Sequence, residues 1–171
     1  MPRFAGLATL MRLPYVQAHD PEFADVEIGL VGIPWDGGTT NRPGARHGPR
    51  QVRDISTMIR NVNRASGIAP FSLCNCADLG DTPVNPVDLM DSLARIHAFY
   101  DKVCAAGIAP LSVGGDHLVS LPIMRALATA LERQNQWQLC CIRNISPISR
   151  NERSLGFRPC RLFMVLSMPW A

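Results

Sequence analysis

The chain has 171 residues, 47% of them hydrophobic and 18% charged, with a formal net charge of +3. That length suits about one domain, and that balance supports a packed core and excludes a disordered chain. No apolar run approaches the ~20 residues of a membrane-spanning helix, and the N-terminus lacks the architecture of a secretory signal. A cytoplasmic protein without membrane association is therefore expected.

Residues 1–25, with Phe4, Tyr15 and Phe23 and breaks at Pro14 and Pro21, show no sustained period and read as an irregular arm packed on the body. Val26 to Ile33 is short, mostly apolar and β-branched, the pattern of a buried strand that Pro34 ends. A polar loop rich in Gly and Thr follows. Pro49 to about Arg60 carries Val52, Ile55, Ile59 and Val62 at helical spacing, with proline in the first turn, where its missing N–H costs nothing. Phe71 to Asp81 reads as a second strand running into an acidic loop. From Asn85-Pro86 a helix is expected, with Leu89, Leu93, Ile96, Tyr100, Val103 and Cys104 on one stripe and Gly107 ending it. Ile108 to Val113 is the third strand, and Leu118 to about Arg133 the third helix. Alternating strands and helices predict a parallel α/β sheet, and such sheets bind ligands beyond the carboxyl ends of their strands.

Beyond Arg133 the pattern weakens. Trp137 to Ile142 and Leu162 to Leu166 each have strand character, but no clean βα unit follows. The charge also shifts. Residues 1–131 hold eleven basic and twelve acidic side chains, whereas 132–171 hold six arginines against two glutamates. The arginines are scattered among Cys, Trp, Met and Phe with no common face, so nucleic-acid binding is not expected. Two regions are expected: an α/β part over 1–131 and a divergent tail over 132–171. The tail reads as translation of a displaced frame or of an unspliced or rearranged segment, the alternative being a genuine extension. A sheet of about three βα units would leave an unpaired edge. The six cysteines do not suggest a disulfide framework, because nothing points to an oxidising compartment. Cys74 and Cys76 read as a buried thiol pair on one strand face.

Two segments carry candidate chemistry. Gly114-Gly115-Asp116-His117 closes the third strand with a flexible turn that presents a histidine. Taken alone, His117 fits a cap, a core hydrogen bond or a metal ligand, and Asp116 fits a helix N-cap. The loop after the first strand contains Asp36, Asn41 and Arg42, which are candidate substrate contacts. Arg46 and His47, in the same loop, either line a substrate entrance or fix the loop; His47 is kept among the substrate candidates. Asp78 and Asp81 are metal-ligand types but more naturally bond backbone amides. His19 and His97 read as isolated surface or packing residues. No residue is assigned as catalytic.

These segments resemble the ureohydrolase family of arginases, agmatinases and guanidino-acid hydrolases. Gly-Gly-Asp-His at 114–117 with Leu121-Pro122 is similar to the first metal-binding motif of that family. Gly44 to Pro49 with Arg53 resembles its N-terminal signature, and Ala77 to Asp81 a further segment. Pro2 to Gly6, Met11 to Pro14 and Pro34 to Arg42 are most similar to agmatinase-like enzymes of the guanidinobutyrase and guanidinopropionase type. The resemblance covers roughly Pro2 to Leu127. It implies a three-layer arginase-like parallel sheet, here truncated after about three βα units. It also implies two Mn2+ ions bridging a hydroxide that attacks a guanidino carbon and releases urea and an amine. His117 then matches a manganese ligand. The implied partners are a small guanidino substrate and a second copy or full-length relative. The remaining ligands of the family come from Asp-Ala-His-x-Asp and Ser-x-Asp-x-Asp-x-x-Asp-Pro, which this chain lacks. After Asp116 it has no aspartate, and after His117 no histidine. The expectation is a chain of ureohydrolase ancestry without ureohydrolase activity, or else a non-catalytic partial domain acting through protein association.

Overall fold

The computed structural model describes residues 2–133 and 165–166. The elements run β1 (Ile28–Ile33), α1 (Gly48–Ser56), β2 (Cys76–Asp81), α2 (Leu89–Ala105), β3 (Ala109–Gly114), α3 (Ser120–Arg133) and β4 (Val165–Leu166). The sheet order is β2-β1-β3-β4, with all three pairings parallel. The central strand β1 pairs along its whole length with β3, from Ile28 opposite Ala109 to Ile33 opposite Gly114.

Strand alternation sends side chains to two different cores, giving three layers. On one face, Leu30, Cys76 and Val113 pack with Leu10 and Leu13 of the N-terminal arm and with Val52 of α1. On the other, Val31, Ile33, Ala77 and Leu79 meet Ile96, Tyr100 and Val103 of α2 and Ile123 and Ala126 of α3. The buried hydroxyl of Tyr100 is satisfied by Ser112 Oγ at 2.6 Å across the α2–β3 interface. The arm packs on the body as expected and lies along the outer edge of β2. Val16 N donates to Asp78 O and Asp78 N to Pro14 O.

Several boundaries differ from the sequence reading. β2 starts at Cys76, not Phe71; Pro70–Ser72 is a 3-10 turn and Leu73 is exposed. The acidic residues Asp78 and Asp81 are consequently in the strand and not in a loop. Cys76 is buried but Cys74 precedes the strand and is only partly buried, so the two thiols do not share a strand face. Burial, and then the neighbouring Cys74 and Glu27, push the Cys76 thiol pKa up. α1 stops at Ser56, short of its expected apolar stripe: Val52 packs on the sheet, but Ile55 and Val62 are exposed, and Pro49 and Ser56 are the buried residues. α2 begins at Leu89, where Asp88 caps it by accepting from Asp91 N at 2.9 Å. The edge expected to be open beyond β3 pairs with β4 at Ser112 and Val113. The expected strand over 137–142 lies outside the described residues.

Candidate functional site at the strand carboxyl ends

β1 and β3 are neighbours, so the loops that leave their carboxyl ends meet. The loop after β1 is organised by a buried carboxylate. Asp36 Oδ2 accepts from Gly44 N at 2.7 Å and Arg46 N at 3.2 Å, and Oδ1 accepts from Arg46 Nε at 2.5 Å. The Asp36 side chain is fully buried, whereas that of Arg46 is about half exposed. The Arg46 hydrogen bond holds the Asp36 carboxyl below the usual range, with the two backbone N–H groups adding to it against the cost of burial. Expected as a substrate contact, Asp36 uses both oxygens on its own loop.

The other three candidates in this loop are presented outward. Asn41, Arg42 and His47 are exposed, and Arg42 has a φ of 55°. None of their side chains makes a hydrogen bond or ion pair among the described residues. His47 ends the short turn Ala45–His47 directly before α1.

A depressed carboxyl pKa in the folded state gives stability that is present above the unfolded pKa and lost as pH falls through the folded value. Protection of the Gly44 amide from hydrogen exchange should therefore be flat near neutrality and collapse only in acid, below about pH 4. Asp36→Asn should weaken that protection at neutral pH by about 1–2 kcal/mol, the scale of a charged hydrogen bond discounted for the exposure of Arg46. Amide exchange measured from pH 3 to 7 checks both.

The β3 loop is built against the β1 loop. Gly115 has a φ of 77°, and the peptide bond between Gly114 and Gly115 is cis. A Cβ on Gly115 would lie 2.5 Å from Trp35 O and 2.7 Å from Ile33 O. Asp116 N donates to Trp35 O at 2.9 Å. Its side chain accepts from Leu118 N at 2.9 Å and from Gly38 N at 2.7 Å. The N-cap reading of Asp116 thus holds, with an added bond to the other loop. His117 begins the capped turn His117–Val119 and is exposed, and its imidazole has no partner among the described residues.

Asp78 and Asp81 face a different task. Asp78 is fully buried on the α1 side of the sheet. It accepts from Leu10 N at 2.8 Å, Gly80 N at 2.9 Å, and Arg53 Nε and Nη2 at 2.9 and 3.0 Å. Arg53 Nη1 reaches Asp81 at 2.6 Å. Burial alone would lower the Arg53 pKa; the two carboxylates more than offset it and raise it above its usual value. This network ties α1, β2 and the arm together. Hydrogen bonding of Asp78 to backbone amides was legible, but its pairing with Arg53 was not. The signal was a carboxylate on an inward position of a strand that is otherwise buried. His19 and His97 are not isolated: they lie 3.5 Å from Asp20 and 3.1 Å from Asp101.

A pair of divalent cations would need several ligating side chains gathered together. Among the described residues, no group of three or more His, Cys, Asp or Glu side chains gathers where a metal ion could be held. Both Asp116 oxygens already accept backbone N–H groups, leaving the exposed His117 imidazole as the outward-facing donor of that segment. The described residues do not fit a binuclear centre. Among the described residues, three buried side-chain atoms lack partners: Trp35 Nε1 and Thr82 Oγ1, just beyond the carboxyl ends of β1 and β2, and Ser120 Oγ, at the start of α3.

A three-layer parallel α/β domain with polar loops converging at adjacent strand ends is a frame that binds ligands at that edge. The chain belongs to the Arginase family, whose family model matches residues 26–140. It is 62% identical over 127 residues to a guanidinopropionase of Pseudomonas aeruginosa, covering 74% of this chain and 39% of that protein. It is 47% identical over 127 residues to a guanidinobutyrase of the same organism, covering 74% and 40%. The structure resembles the proclavaminate amidino hydrolase of Streptomyces clavuligerus with a TM-score of 0.69 at 36% identity, over 75% of this chain and 42% of that one. It also resembles a Trypanosoma cruzi formiminoglutamase solved with Mn2+2, with a TM-score of 0.58 at 25% identity, over 71% and 40%. The chain spans about two fifths of the length of these curated relatives.

Proposed function

We propose that the chain carries the N-terminal part of a manganese-dependent guanidino-compound hydrolase, with agmatine or a guanidino acid as the substrate class and urea and an amine as products. We further propose that this polypeptide does not turn over by itself. The observation that carries the first part is the joining of the two family loops at neighbouring strand ends, with His117, His47, Asn41 and Arg42 all facing outward. Asn41, Arg42 and His47 are the proposed substrate contacts and His117 the proposed metal ligand. The second part is supported by the donor set: among the described residues His117 stands without companion ligands, and beyond Asp116 the sequence offers only Glu132 and Glu152 as carboxylate side chains. One imidazole does not hold two hydrated dications.

A chimera tests the reading. Residues 1–127 joined to the remaining part of the Pseudomonas aeruginosa guanidinopropionase, supplied with Mn2+, should release urea from guanidinopropionate. A folded chimera without that activity would overturn it. The division at residue 131, with 132–171 as a divergent tail, belongs to the same proposal. Translating all frames of the gene beyond the Leu127 codon tests it, since a displaced frame should restore the two acidic motifs. A cytoplasmic location is also part of this reading and rests on the sequence; no helix among the described residues is long and apolar enough to cross a membrane.

A second reading is association with another chain, a second copy or a full-length relative. It is favoured by β3, which among the described residues pairs with β4 only at Ser112 and Val113. A strictly monomeric mass by light scattering at high concentration, with no complex on mixing with the guanidinopropionase, would remove it.

A further inference from the structure

Asp116 stands between the two loops in a way that capping alone does not require. One oxygen accepts from Leu118 N at 2.9 Å and closes the turn that carries His117. The other reaches across the sheet edge to Gly38 N at 2.7 Å. Its own N–H donates to Trp35 O at 2.9 Å, so the residue grips the β1 loop at two points. The contact is close on both sides: a Cβ on Gly38 would lie 2.9 Å from Asp116 Oδ2 and 3.0 Å from the Leu118 side chain. Beyond Gly38, the same loop is closed by Asp36 through Gly44 and Arg46. The loop with Asn41, Arg42 and His47 is therefore braced from within by Asp36 and from the neighbouring strand by Asp116.

We propose that Asp116 is a positioning residue that locks the His117 turn and the 36–47 loop into one frame, so that the proposed metal ligand and the proposed substrate contacts keep a fixed relation. The assignment of those roles rests on the reading above; the mechanical link does not. Asp116 acts through Leu118 N and Gly38 N, touching no ligand itself. Its reach decides the matter. A serine at this position retains an oxygen able to cap Leu118 N, since serine is a favoured N-cap, but is one bond too short to span to Gly38. An alanine supplies neither contact.

Amide exchange and imidazole NMR of the full chain separate the two functions without any ligand. In Asp116→Ser, the Gly38 amide should exchange about ten- to a hundredfold faster, the range of a lost charge-assisted hydrogen bond. The loop amides of Asn41 and His47 should shift with it, while the Leu118 amide and the His117 ring signals stay near their wild-type positions. In Asp116→Ala, both sets should move. If Asp116→Ala fails to fold, Asp116→Asn keeps one oxygen to cap Leu118 N but turns an amide nitrogen, which cannot accept, toward Gly38 N, and should reproduce the loop pattern of Asp116→Ser. Unchanged exchange at Gly38 in a folded Asp116→Ser chain would overturn the proposal. So would loop amides that stay in place when Gly38 is released. Neither result depends on whether the chimera releases urea, so this link and the reading of the site can fail separately.

Discussion

Asp78→Ala will cost about 3–5 kcal/mol, the scale for removing one partner of a buried ion pair. A domain of this size has about 5–15 kcal/mol in total, so the variant should be largely unfolded or melt far below the wild type. Several bonds fail together. Arg53, only 14% exposed at its side chain, loses two of its three carboxylate contacts, and the Leu10 and Gly80 amides lose their acceptor. Asp81→Ala is the control. Its carboxylate is 41% exposed and makes a single ion pair with Arg53, so the loss should stay near or below about 1 kcal/mol. Urea denaturation of both variants checks the contrast. Equal losses would mean that the pairing of Arg53 with Asp78 is not what fixes α1 and the arm to the sheet.

Gly115→Ala should be the second severe change. The added methyl would meet two backbone carbonyl oxygens, Trp35 O and Ile33 O, and backbone cannot swing aside as a side-chain tip can. Overpacking typically costs about 1–3 kcal/mol, and a φ of 77° adds about 1–2 kcal/mol for a residue with a Cβ. A total of about 2–5 kcal/mol is expected in chemical denaturation, together with displaced amide signals at Trp35, Asp116 and His117. Gly44→Ala is the comparison: that residue also has a positive φ, but nothing lies near its Cβ, so only the conformational part of the penalty should appear.

Much of the fold was legible because its signals are local. β1 and β3 are apolar runs bounded by proline and glycine, and the expected stripe of α2 is buried at Ile96, Tyr100, Val103 and Cys104, though Leu89 at its start is exposed. The differences lie where a local apolar pattern is not matched by the sheet. Leu73 resembles a strand residue and Ile55 and Val62 a helix face, but all three are exposed, and Phe71 packs on the core that holds Leu10 and Leu30 from a 3-10 turn and not from a strand. At the site, the motif positions of Asp116 and His117 could be read directly, as could the cap. The roles of Asp36 and Asp78 could not. Asp36 is satisfied by Arg46, ten residues on, and Asp78 by Arg53, 25 residues back across α1 and β2. A carboxylate in sequence looks the same whether it turns to solvent or inward, and only the folded chain decides which.

The most direct measurement is urea release by the purified chain with excess Mn2+, offered agmatine, guanidinobutyrate and guanidinopropionate in turn. With His117 as the one proposed metal ligand and no aspartate beyond Asp116, urea should stay at the level of buffer with each substrate, while the chimera with the guanidinopropionase remainder turns over. Urea formed by the chain alone, and abolished by His117→Ala, would contradict the account and show that a working metal site is assembled from residues assigned no such role here.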